Sequence, residues 1–314
     1  MAGSRIVALG HYQPARVVTN EELSHTIDTN DEWIRDRVGI AERRIADGES
    51  VADMSVFAAE KALANAGLTA ADIDLVIVAT CSAEDRCPNV AARVAARLGI
   101  TAPGAFDLNA ACSGFSYALA TADHAIQAGT SRNALVIGAE KLSDVVDWTD
   151  RTTAVLFGDG AGAAVVSAVD DGEPAGIGPV LWGSAPEKGD VLTIAGWRPY
   201  IKQEGQAVFR WATTAIAPVA KQACEKAGVA PEEIAAFVAH QANTRIIDGI
   251  VKRLGLPNAI IAKDLVESGN TSAASIPLAL SKLVERREVP SGAPVLLFGF
   301  GGGLTYAGQV IRCP

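Results

Sequence analysis

Apolar runs recur along the chain at wide intervals: DLVIVAT at 74–80, NALVIGA at 133–139, AAFVAH at 235–240 and PVLLFGF at 294–300. Helix-like stretches separate them, and this alternation predicts a layered α/β fold. The pattern also repeats. Ala66-Gly67-Leu68, then Ile73 and a strand, returns 161 residues later as Ala227-Gly228-Val229, then Ile234 and a strand. At the same offset NAACSGFSYAL (109–119) falls on NTSAASIPLAL (270–280), and Gly138 falls on Gly299. Three segments at one spacing predict a duplicated unit. Its halves run 1–168 and 169–314, with the boundary in the acidic stretch SAVDDGEPAG.

The duplication locates a site. It carries Cys112 onto Ala273, His240 onto Ala79 and Asn270 onto Asn109, so all three lie at or just beyond the C-terminal ends of strands. Ligands collect at those ends in open α/β sheets, so residues of the two halves are expected to converge there.

Composition narrows the class. Of 314 residues 49% are hydrophobic but only 5% aromatic, and 30 are glycine, as suits an enzyme core of Ala, Val, Ile and Leu. A net charge of −9 argues against a general nucleic-acid surface, so an acidic partner must be met by a local basic patch. Five scattered cysteines, Cys81, Cys87, Cys112, Cys224 and Cys313, form no CxxC pair and read as reduced thiols. No signal peptide and no run of 18 apolar residues is evident, so a soluble cytoplasmic protein is expected.

Cys112 stands among small neighbours, Ala110, Ala111 and Gly114, where a strand hands over to a helix. Unpaired amides and the helix dipole are expected to favour its thiolate, a nucleophile suited to thioesters. The other four cysteines are expected to be inert. His240 ends an apolar run, whereas His25 and His124 sit in helix-like polar surroundings and His11 follows a short first strand, where a solvated or capping role is expected. His240 and Asn270 each offer a nitrogen donor to an oxygen gaining charge. The glycines of GFGGGLTYAG (299–308) allow close backbone approach. FGDGAGAAVV (157–166) superficially offers GxGxxA, but a strand-like run follows it, so it is given no cofactor role. No metal-ligand spacing occurs, and no metal or cofactor is expected.

These segments, with DTNDEWIRDRVGI (28–40), DRTTAVLFGDGAGA (150–163), EGQAVFRW (204–211), HQANTRII (240–247) and GNTSAASIPLA (269–279), carry a full-length resemblance. The chain resembles the β-ketoacyl-acyl carrier protein synthases of type III, in the thiolase-like superfamily. The resemblance implies a five-layered αβαβα fold of two similar halves. It implies that Cys112 takes an acyl group from acyl-CoA, with an oxyanion hole made by the amides of Cys112 and Gly302. His240 and Asn270 would stabilise the enolate left when malonyl carrier protein loses CO2, giving a 3-ketoacyl carrier protein. Trp33 and Arg151 match residues that sandwich the CoA adenine; Thr29, Arg37, Gly205, Phe209 and Asn243 match further CoA contacts. On the helix after His240, Arg245, Lys252 and Arg253 share a face opposite Ile247 and Val251, and with Arg210 they are expected to dock the acidic carrier protein. A homodimer is also implied, in which Cys87, smaller than the usual residue, gates the partner's acyl pocket and admits a branched or longer starter, as in a polyketide pathway.

GFGGGLTYAG lacks the second cysteine of a degradative thiolase, Asn270 replaces the second histidine of elongating synthases, and chalcone-type synthases are longer. Two alternatives stay open: an acyltransferase that passes the acyl group to a hydroxyl or amine without decarboxylation, and a non-catalytic scaffold.

Overall fold

The computed structural model describes residues 3–170, 172–196 and 200–314. Two five-stranded sheets carry it. The first runs, edge to edge, Ser4–Tyr12, Asp159–Ala168, Asn133–Lys141, Leu75–Ala79, Gly104–Leu108. The second runs Leu181–Ser184, Thr305–Arg312, Pro294–Gly301, Ala236–Ala239, Ile260–Ile261. Order and direction are the same in both: the last three strands run parallel, and each of the first two is antiparallel to its neighbours.

Side-chain alternation along the strands makes the layers. Val76, Val78, Leu135 and Ile137 pack outward on the helices Val51–Ala66 and Val90–Leu98. Ile77 and Val136 pack inward on the helices Gly114–Gln127 and Ser275–Glu285, which meet Val238, Val295 and Leu297 of the second sheet. Phe237, Leu296 and Phe298 face the outer helices Gly205–Ala227 and Thr244–Leu254. The result is the five-layered thiolase-like arrangement of helix, sheet, helices, sheet, helix.

The 161-residue offset is a backbone repeat. Gly67 and Gly228 end equivalent helices in the left-handed conformation, at φ 64° and 66°. The 3-10 turns Ala111–Ser113 and Ser272–Ala274 begin with Ala111 and Ser272, both at φ +45°, and both lead into a central helix. Non-glycine residues seldom adopt that conformation, so the pair marks two copies of one strained turn. Each turn presses on a glycine of a central strand. A Cβ on Gly138 would stand 2.3 Å from the Ala273 carbonyl oxygen, and one on Gly299 would stand 2.7 Å from Ser113 Cα.

One sequence expectation is corrected. His11 lies inside the nine-residue strand Ser4–Tyr12 rather than after a short one, and it neither caps a helix nor faces open solvent. Its Nδ1 is 2.9 Å from Ser281 Oγ, and burial pushes its pKa down to about 4.

Gly138→Ala is expected to lose about 1–3 kcal/mol of stability, because the new methyl meets backbone that cannot rotate away. A fall in the urea midpoint at unchanged slope checks this.

Candidate active site

Cys112 is held by its turn and by the loop opposite. Asn109 Oδ1 accepts the Ala111 amide (3.2 Å), and Ser113 Oγ donates to the Ala110 carbonyl (2.7 Å). Thr305 Oγ1 lies 2.7 Å from Ser113 Oγ and donates to the Gly302 carbonyl (3.0 Å), tying the turn to the glycine loop. A Cβ on Gly301 would stand 2.8 Å from Cys112 Sγ, so only glycine fits there. The amides of Gly302 and of Cys112 itself act to lower the thiol's pKa.

The thiol nevertheless departs from the expected thiolate. Burial pushes its pKa up to about 11, because the Ser272 hydroxyl and the two amides do not offset lost hydration, and Glu140 adds repulsion. Position before a helix does not overcome desolvation.

His240 follows the strand Ala236–Ala239 and is fixed by its own amide, which donates to the Phe298 carbonyl (2.9 Å). Its Nδ1 lies 2.8 Å from Ser275 Oγ, and Phe300 packs edge-on at 5.5 Å between ring centres. Burial pushes the ring down to about 3, so it is neutral at pH 7. Asn270 is anchored by main-chain bonds to Leu156 and Gly158 (2.8 and 3.1 Å). Its Oδ1 accepts the Ser272 amide at 2.9 Å, which leaves the NH2 as the free end of the carboxamide.

Cys112, His240, Asn270 and Gly302 line one cavity of about 1000 Å³. Toward its mouth stand Trp33, Arg37, Arg151, Gly205, Phe209, Arg210, Asn243 and Arg245. The Arg151 guanidinium stacks over Trp33 at 4.9 Å, and Arg245 lies over Phe209 at 5.7 Å. Arg151 also donates to the Asp28 carbonyl at 3.0 Å. Asn243 caps the helix Thr244–Leu254 and donates to the Arg37 carbonyl at 3.0 Å, joining the two sides of the mouth.

Four expected site residues fall outside the lining of this cavity. Thr29 is half-buried beside it, with its Oγ1 unpaired. Lys252 and Arg253 are exposed further along their helix, Arg253 bonded to the Thr213 carbonyl. Cys87 is exposed on its loop. Cys81, expected to be inert, also lines the cavity, with its Sγ 3.3 Å from Glu140 Oε1 and 3.8 Å from Ser272 Oγ. Glu140, Ser272 and Ser275 were not singled out from sequence. The repeat carried the signal, since 161 residues separate Glu140 from Gly301 and Ala111 from Ser272. Among the described residues no group of His, Cys, Asp or Glu is arranged to hold a metal.

Models of 3-oxoacyl-[acyl-carrier-protein] synthase III match residues 106–186 and, for the C-terminal part, 224–313. Beta-ketoacyl-[acyl-carrier-protein] synthase III 4 of Streptomyces coelicolor is 64% identical over 99% of both chains. The chain belongs to the 3-oxoacyl-[acyl-carrier-protein] synthase III family. Synthase III 2 of Streptomyces avermitilis is 63% identical over the whole of both chains. Among solved structures, the priming β-ketosynthase of the R1128 polyketide pathway superposes with TM-score 0.97 at 43% identity, covering 99% of this chain and 96% of that one. The synthase III of Aquifex aeolicus gives 0.94 at 42% identity, covering 99% and 100%.

The family enzyme's neutral histidine has a measurable signature. The unfolded chain binds a proton at His240 near pH 6.5 and the native chain only near 3, so this residue's contribution to stability is lost as pH falls through that window. Imidazole NMR is expected to show a neutral His240 from pH 8 down to about 4, and the loss approaches about 1.4 kcal/mol per pH unit in between. A ring titrating near 6.5 contradicts the burial argument.

Proposed function

We propose that Cys112 accepts the acyl starter and that His240 and Asn270 stabilise the enolate that extends it. As a synthase III, the protein is an acyl-transferring condensing enzyme. It joins an acyl-CoA to malonyl carrier protein with loss of CO2, and the 3-ketoacyl carrier protein formed starts fatty acid or polyketide synthesis. The observation that carries the assignment is the convergence of a thiol, two backbone amides and two side-chain donors at the floor of one cavity.

On this reading the steps follow from geometry. The thioester carbonyl meets Sγ with its oxygen toward the amides of Cys112 and Gly302, which bear the negative charge of the tetrahedral intermediate. After CoA leaves, the malonyl thioester oxygen faces His240 Nε2 and the Asn270 NH2. This role calls for the ring proton on Nε2, with Nδ1 accepting from the Ser275 hydroxyl 2.8 Å away. Loss of CO2 then puts charge on an oxygen held by two neutral donors. The enolate carbon attacks the acyl carbonyl and Cys112 departs as thiolate.

The mouth suits a phosphorylated carrier. Trp33 and Arg151 offer a stacking slot for adenine; Arg37, Arg210 and Arg245 supply local positive charge on a chain of net charge −9. Gly205, Phe209 and Asn243 lie against the pantetheine arm. Arg210, Arg245, Lys252 and Arg253 form the docking face for the carrier protein. We place the enzyme in the cytoplasm as a homodimer that needs no metal or cofactor. The edge strand Gly104–Leu108, with Phe106 exposed, offers unpaired backbone to a second copy. Among the described residues no helix is long and apolar enough to cross a membrane.

Intact mass spectrometry after exposure to a panel of acyl-CoAs is expected to show one acyl adduct that is lost in Cys112→Ala and discharged by malonyl carrier protein. An adduct that persists favours transfer to another acceptor. His240→Ala and Asn270→Ala are each expected to keep the adduct and slow CO2 release by about 10²–10³. Trp33→Ala is expected to raise KM for acyl-CoA and leave kcat near its original value, since the slot lies far from the reacting carbon; a fall in kcat alone contradicts it.

A further inference from the structure

Cys112 must shed a proton before it attacks, and neither its own environment nor His240 accounts for where that proton goes. Burial disfavours the thiolate and leaves the imidazole a weak base. A third buried group, a carboxyl, is near enough to repel a Cys112 thiolate. Glu140, fully buried at the end of the strand Asn133–Lys141, accepts from Ser82 Oγ (2.5 Å), Thr80 Oγ1 (3.1 Å), the Cys81 amide (3.1 Å), Cys81 Sγ (3.3 Å) and the Ala273 amide (3.4 Å). Every one of these donors is neutral, and burial raises the carboxyl's pKa above the usual range. From Glu140 the contacts lead toward the nucleophile: Cys81 Sγ touches Ser272 Oγ at 3.8 Å, and the turn that carries Ser272 packs on the turn that carries Cys112, with both residues lining the cavity and the Ser272 hydroxyl drawing the thiol's pKa down.

We propose that Glu140 is the terminal proton acceptor for Cys112, reached through the Ser272 hydroxyl and the Cys81 thiol. The Cys112 proton moves to Ser272 Oγ, the Ser272 proton to Cys81 Sγ, and the Cys81 proton to a Glu140 oxygen. Serine and Cys81 end as they began. The Cys112 thiolate forms a bond to the acyl carbon, the bond from that carbon to the CoA sulfur breaks, and CoA leaves with the electron pair. Condensation expels Cys112 already as thiolate, so carbon–carbon bond formation needs no transfer along this path, and the proton returns only after product has formed.

Charge conservation favours this route. Deprotonating Cys112 into water would leave two negative groups, Cys112 and Glu140, in one dry site, whereas transfer to Glu140 keeps the site at a single negative charge. The repeat explains why a carboxyl is there. Gly301 leaves room over Cys112, and Glu140, its counterpart 161 residues earlier, reaches the amide of Ala273, the counterpart of Cys112.

The inference rests on Cys112 as acyl acceptor, and the test separates the two. Acyl-Cys112 formation from acyl-CoA is followed by rapid quench and mass spectrometry, and condensation is followed separately on enzyme already acylated. Glu140→Gln and Ser272→Ala are each expected to slow acylation by about 10² or more. Their acylation rates should rise steeply with pH and converge on that of the unsubstituted enzyme as the thiol ionises unaided; condensation by the preloaded enzyme should be unchanged. Ser272→Ala guards against misfolding of the carboxyl variant, because Ala111 already occupies the same φ of +45° in the equivalent turn. Acylation at the original rate in both variants overturns the relay, as does equal slowing of both half-reactions. No adduct on unsubstituted Cys112 overturns the functional reading and the relay with it.

Discussion

Everything in the site depends on how closely two equivalent turns press on the strands of the opposite half. The turn Ala111–Ser113 sits on Gly299 and Gly301 of the second sheet, and the turn Ser272–Ala274 sits on Gly138 of the first. Residues with a side chain at these positions would hold the layers apart. With glycine there, Cys112, His240 and Asn270, drawn from two halves, share one cavity without any long loop reaching between them. The small-residue composition of the chain is the sequence-level cause of this contact.

The same contact excludes water, and exclusion acts on each group in its own direction. It keeps Cys112 protonated, His240 neutral and the Glu140 carboxyl above its usual range. For an enolate-forming reaction a neutral donor is useful, because it binds the developing oxyanion without first attracting the substrate's carboxylate. For a nucleophile the same dryness is an obstacle, one that the proposed relay through Ser272 would overcome.

Much of this was legible in the sequence, for a physical reason. Duplication copies turns and caps as well as strands, so Gly67 with Gly228 and Asn109 with Asn270 keep one spacing and expose the architecture. The repeat put Cys112, His240 and Asn270 at strand ends and predicted their convergence, and the three line one cavity. Glu140, Ser272, Ser275 and Cys81 were not, since a glutamate in GAEKL or a serine in TSAAS acquires its chemistry only from neighbours brought across the fold. The expected thiolate failed for a related reason: sequence shows a helix start but not how deeply it is buried. Lys252 and Arg253 share a helix with Arg245, but only Arg245 lines the cavity.

The stack of Arg151 on Trp33 is already formed with nothing between its members. A flat ring entering between them needs about 3.5 Å on each side, more than the 4.9 Å available, so the guanidinium must first draw back. On the proposed function, a carrier's ring at this mouth exchanges one stacking partner for another rather than adding to an open shelf.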